Sequence, residues 1–156
     1  MTGILQHRRS NTAGILAATP APGEIFLNTD TWKAIVGDGA TAGGLQTDRA
    51  ILTTKTSSYP LVATDSGQHF DNVGAVGAVT FTLPAAVRGL NFWFTVFAAQ
   101  NLIVLCGAGD QVAVGNLNSA AAGNIQSNVP FSSIFVMALD ATQWVVKSQT
   151  GSWTVT

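Results

Sequence analysis

The sequence predicts an all-β fold in two parts. A short β unit spans residues 1–45, a linker spans 46–58, and a β-sandwich or jelly-roll-like knob domain spans 59–156. Three observations carry this. No segment keeps a 3.6-residue apolar period with caps at both ends. Short runs rich in Val, Ile, Phe and Thr recur, broken by Gly, Asn, Asp and Ser at spacings of roughly 8 to 12 residues, as in sandwiches. Charged residues are only 10% of the chain, against ~25% in an ordinary soluble domain.

The elements follow in order. "ILQHRR" reads as a first strand. In "NTAGILAATP", Asn11 or Thr12 caps a short helical turn and Pro20 stops it. "GEIFLNTD" and "WKAIVGDG" are two strands around a turn near Asp30 and Thr31, with Ile25 and Leu27 on one face and Phe26 on the other. So small a unit needs a staple. It holds no metal-ligand set and no cysteine pair, which leaves oligomerisation. "QTDRAILTTKTSS" reads as a solvated connector, extended against its neighbours.

In the second part "GAVTFTLP" alternates, with Val79, Phe81 and Leu83 on one face, Thr80 and Thr82 on the other, and Pro84 at its end. "LNFWFTVFAA" is apolar on both faces: Leu90, Phe92, Phe94 and Val96 on one, Trp93 and Phe97 on the other. One face suits the core and the other a subunit interface, so Trp93 and Phe97 are the candidate knob-interface residues. "NLIVLCG", "DQVAVG", "NIQSN", "SIFVMALD", "QWVVKS" and "SWTVT" continue the series. "QWVVKSQTGSWTVT" has a hairpin pattern with Gly151 at the turn, its Trp144 and Trp153 packed on each other or on one core. From residue 59 onward the only charged residues are Asp65, Asp71, Arg88, Asp110, Asp140 and Lys147. A surface so poor in charge is expected to be partly covered by other chains.

A net charge of −1 gives no reason to expect nucleic acid or an anionic membrane as partner. No apolar run approaches the ~18 residues of a membrane helix, and "MTGILQHRRSN" lacks a signal-peptide pattern. Synthesis in the cytoplasm is expected. The lone Cys106, in "NLIVLCG", reads as a small buried hydrophobe.

Gly37-Asp38-Gly39 has a ligand-loop appearance. A phosphate loop needs a following helix and a lysine, and an EF-hand needs alternating oxygens with a closing Glu; "ATAGGLQTD" supplies neither. A tight turn is expected there and at "GAGD". His7 lies beside two arginines, and His69 lies between Asp65 and Asp71 without a nucleophile motif. No catalytic residue, cofactor or metal is therefore expected. A glycan-degrading enzyme using Asp65, Asp71 or Asp110 is the disfavoured alternative. Trp32, Trp93, Trp144 and Trp153 are weighed as core or as a sugar-stacking surface.

The N-terminal pattern is an apolar residue and an Arg pair (Leu5, Arg8, Arg9), then Gly23-Glu24-Ile25, Asp30-Thr31, Lys33, and Gly37-Asp38-Gly39 with Thr41. In order and spacing it resembles the N-terminal segment of phage fibre and tropism-determinant proteins over about forty residues. Two departures stand out: Trp32 replaces a small residue after the turn, and Gly43 and Gly44 replace a tryptophan. The resemblance implies an intertwined homotrimer that anchors to the virion. Arg8, Arg9, Glu24, Trp32, Lys33 and Asp38 are then the candidate attachment and trimer-forming residues. The second part is similar, less specifically, to β-rich modules of phage structural proteins, through "DSGQHFDN", "VTFTLP", "GLNFWFTVF" and "QWVVKSQTGSWT". The expectation is a non-enzymatic virion protein, assembled in the host cytoplasm and docked on phage capsid or tail proteins. The length, without a repetitive shaft, favours a head fibre or capsid decoration protein. A tail-fibre or baseplate protein that recognises a host surface glycan is the alternative.

Overall fold

The computed structural model describes residues 8–30, 33–46 and 51–156. The chain divides into two units, Met1–Arg49 and Ala50–Thr156, and is all-β apart from short helical turns.

The first unit holds β1 (Arg8–Ser10), α1 (Thr12–Leu16), β2 (Ile25–Asn28), β3 (Lys33–Val36) and β4 (Leu45–Gln46), in a sheet ordered β1-β2-β3-β4. Asn11 caps α1, its side chain accepting from Gly14 N at 2.8 Å. Asp30, after β2, adds a second cap: its Oδ2 accepts from Thr12 N at 2.8 Å. The β2–β3 turn is thereby pinned to the start of the helix. Because α1 crosses between them, β1 and β2 run parallel, whereas β2 and β3 form the expected antiparallel pair with Asn28 opposite Lys33. Among the described residues the buried apolar cluster of this unit is Ile15, Phe26 and Ile35.

The second unit holds β5 (Leu52–Thr54), β6 (Tyr59–Pro60), β7 (His69–Asp71), β8 (Val79–Thr82), β9 (Asn91–Thr95), β10 (Leu102–Leu105), β11 (Gln111–Val114), β12 (Leu117–Asn118), β13 (Asn124–Ser127), β14 (Ser133–Ala138), β15 (Gln143–Thr150) and β16 (Thr154–Val155). Two sheets share one core. The five-stranded sheet is ordered β16-β13-β10-β8-β6, and the seven-stranded sheet β12-β11-β15-β14-β9-β7-β5. From β5 to β10 the chain passes from one sheet to the other at every strand. Sheet neighbours there are successive turns of one winding, and they run parallel: β5, β7 and β9 in one sheet, β6, β8 and β10 in the other. The connector read over 46–58 thus contains β5, an outermost strand of the larger sheet.

The core draws Val79, Phe81, Leu102, Val104 and Ile125 from one sheet and Phe70, Phe92, Phe94, Ile134, Val136 and Trp144 from the other. Phe70, Phe81, Phe92 and Phe94 touch one another at ring-centroid distances of 5.3 to 6.5 Å, within the favourable range for aromatic pairs. Cys106 is buried here, as expected, and burial pushes its thiol up to about 12, which keeps it protonated and unreactive.

One expectation is corrected. Residues 143–156 are not a hairpin: β15 lies in the larger sheet, and β16 pairs with β13 in the smaller one. Gly151, at φ +74°, turns the chain across the core. Pairing β16 with β13 places Val155 opposite Ile125 and lets Trp153 pack on the same core as Trp144.

Candidate functional site

In the first unit, Asp38 is the centre of the glycine-rich turn. Its Oδ1 accepts from Ala40 N at 3.0 Å and from Thr41 N at 2.7 Å, and its Oδ2 accepts from the Thr41 hydroxyl. The bonds from Thr41 and then Ala40 hold the carboxyl down to about 2. Both oxygens serve the turn itself. The flanking glycines are steric requirements. A Cβ on Gly37 would sit 2.2 Å from Ala21 O, and one on Gly39, at φ +77°, would sit 2.7 Å from the Pro22 ring. The Gly-Asp-Gly signature therefore packs the turn onto the Pro20–Pro22 segment, and a tight turn is what the sequence predicted.

Glu24 likewise braces its own turn, accepting from Ala21 N at 3.1 Å. Arg9 and Lys33 are exposed, and Arg8 pairs in register with Phe26. Trp32 and His7 lie outside the described residues. Phe26 and Ile35 point to α1, so Ile25, Leu27, Ala34 and Val36 line the opposite face, with Ile25 opposite Val36 and Leu27 opposite Ala34. Ile25 is exposed and the others half-buried. This sheet is apolar on both sides.

In the second unit, the outward face of β9 and β14 carries a graded set of cross-strand pairs. Trp93 stands opposite Phe135, their rings stacked 4.4 Å apart at 20°. In the next rank Thr95 stands opposite Ser133 and donates to its Oγ at 3.1 Å. Just past the strand ends Phe97 meets Phe131 edge-on at 5.8 Å. Trp93 and Phe97 are 40% and 43% exposed, and Phe131 is 74% exposed. On the other side of β9, His69 stands opposite Trp93, with Nε2 2.7 Å from Thr95 Oγ1. Burial depresses the basicity of His69, Asp71 opposing, so the ring is neutral at neutral pH.

Asn72 fixes the end of this face. Fully buried, it accepts from Phe97 N at 2.7 Å and Ala98 N at 3.1 Å, and donates to Ala98 O and Gln100 O. The sequence singled out Trp93 and Phe97 but missed Phe131 and Phe135. A signal for Phe135 was present: "SIFVMALD" is apolar on both faces, as "LNFWFTVF" is. Phe131 had no such signal, because a left-handed backbone angle at phenylalanine, φ +66°, is not written in the pattern.

The acids weighed for catalysis each accept from a backbone amide on separate elements, Asp65 and Asp71 within local turns and Asp110 across 24 residues of chain. Asp65 accepts from Val62 N, Asp71 from Val73 N, and Asp110 from Ala86 N. Among the described residues no group of three or more His, Cys, Asp or Glu is placed to hold a metal ion, and no helix is long and apolar enough to cross a membrane.

Residues 5–41 match the family model of the major tropism determinant N-terminal domain. The match covers the helix-capped, Gly-Asp-Gly-closed part of the first unit and relates the chain to phage tropism and fibre proteins. No curated protein matches the chain.

Proposed function

We propose that this chain is a non-enzymatic phage virion structural protein, a homotrimer whose tropism-determinant module anchors it and whose second unit projects as a knob. The observation that carries this reading is the module itself. It matches a phage tropism family over residues 5–41, and its small sheet is apolar on the face turned away from α1 as well as on the face toward it. Among the described residues the sheet has one buried cluster of three side chains, a small core that partner chains in a trimer would extend. The mechanism is binding alone: three modules wound together dock on phage capsid or tail proteins, and no cofactor takes part. Within that class our assignment is a short head fibre or capsid decoration protein, which the position of the protein on the virion tests. Light scattering of the purified chain is expected to give three times 16.1 kDa. Immunogold labelling of intact virions is expected to mark the head; label confined to the tail tip would refute the head assignment.

A second reading is supported by the exposed rings of the knob, above all Phe131. Here the protein sits on the tail and the knob recognises a host surface glycan. Binding of the purified chain to host cells, lost on Trp93→Ala and Phe131→Ala, is the result this reading requires.

A further inference from the structure

We propose that the outward face of β9 and β14, formed by Trp93, Thr95, Phe97, Phe131, Ser133 and Phe135, is a subunit interface occupied by a second copy of this chain. The inference rests on the homotrimer reading and names which knob surface the copies share.

Four observations lead to it. The first is composition. The face has aromatic ranks at both ends, a hydroxyl rank between them, and half-buried Met137 beyond Phe135. Interface centres are enriched in aromatic residues and Met and depleted of charge. The only carboxylate on the face, Asp71, is 1% exposed, and His69 is neutral.

The second is electrostatic fit. The side chains of these ranks carry no charge for a foreign partner to read, and the nearest exposed charge is Lys147, in the β15 bulge beside Phe135. A copy of the same chain meets its own kind without like-charge repulsion, which otherwise opposes self-association. The shortage of charge runs through the whole chain, at 10% of residues.

The third is ring geometry. A sugar stacks on an open aromatic face. Strand β9 lies between β14 and β7, so Phe135 flanks Trp93 on one side and His69 on the other, the second pair 6.4 Å apart. Trp93 therefore presents an edge to solvent, which suits a packed protein interface better than a pyranose.

The fourth is strain. A phenylalanine at φ +66° is a steric outlier, and such outliers cluster where a conformation serves function. Held there, Phe131 places its ring against Phe97, whose own backbone is clamped by Asn72. In an isolated knob this arrangement leaves a large ring in water. Against a second copy it is a preformed contact, with its ordering cost already met within the fold.

Hydroxyl-radical footprinting of the purified full chain, read by mass spectrometry beside light scattering, tests this. Leu117, 61% exposed on β12 and three strands from β14, is the internal reference. The expected result is a trimer in which Trp93, Phe97 and Phe131 oxidise several-fold more slowly than their exposure in one chain dictates. Phe131→Asp is expected to restore their reactivity while the first unit keeps the mass trimeric. A trimer whose rings oxidise as free aromatics do overturns the inference, leaves the trimer standing, and returns the face to a foreign ligand. A mass of one chain overturns the homotrimer reading itself and removes the second copy with it.

Discussion

Asp38 and Asn72 show how single polar side chains set the two candidate surfaces. Asp38 is solvent-exposed, yet three donors hold its carboxyl down to about 2, from an ordinary value near 3.9. A folded-state pKa below the unfolded one means the unfolded chain takes up protons first as the pH falls. The contribution is complete above about 4 and is lost as the pH falls through about 2. Asp38→Asn should flatten the pH dependence of thermal melting across that window. Asp30 and Asp140 are lowered by similar backbone bonds and persist in both proteins, so the difference between the two curves isolates Asp38. Asn72→Ala would leave the amides of Phe97 and Ala98 without their acceptor. A cost of about 1–3 kcal/mol follows, with faster hydrogen exchange at those two amides as its local signature. Phe131→Gly should behave differently. It removes a left-handed strain of about 1–2 kcal/mol and an edge-on ring contact of about 0.5–1.5 kcal/mol. Denaturant titration of the variant should therefore show stability within about 1 kcal/mol of the parent, although a whole phenyl ring has gone. That result would mark the ring as serving something other than the fold of one chain.

At the scale of elements, the winding of the second unit explains what the sequence could and could not tell. Alternation in "VTFTLP" and the two-sided apolarity of "LNFWFTVF" assign each residue to a face, and Val79, Phe81, Phe92 and Phe94 are buried accordingly. A period of two does not say which strand lies alongside. The parallel order of β5, β7 and β9 was therefore not legible, nor was the departure of β16 to the other sheet. The hairpin expected around Gly151 failed for that reason: glycine announces a turn but not its destination. The helix cap at Asn11 and the Gly-Asp-Gly turn were legible because both are local chemistry. The crossing at Gly151 makes its own prediction. A Cβ there would lie 2.1 Å from Ser132 Oγ and 2.9 Å from Ser132 Cα, on a backbone with φ +74°. Gly151→Ala should cost about 2 kcal/mol or more, from left-handed strain plus overpacking. Fast amide exchange at Thr156, whose amide donates to Asn124 O at 2.9 Å, should show β16 leaving β13. If the variant melts like the parent, the crossing is not rigidly held.

For the whole molecule, the low charge content and the two-sided sheet of the first unit bear on one question, whether a single chain is the folded species. Three short copies wound together would share each other's apolar faces, so their stability would depend on chain concentration, as it does for obligate oligomers. A self-sufficient unit would be indifferent to dilution. Amide exchange separates the two. In the trimer, the amides of Ile25–Asn28 and Lys33–Val36 should lose protection when the chain is diluted below its association range, with light scattering showing the mass fall in parallel. The core strands β8 and β10 should keep most of theirs, because Phe81, Leu102 and Val104 are fully buried within one chain. Protection in β2 and β3 that is unchanged at a mass of one chain would show that the first unit folds unaided and would remove the physical reason for a trimer. Protection lost in step with the mass would tie the phage-type module to assembly, with the knob a domain folded in its own right and carried on it.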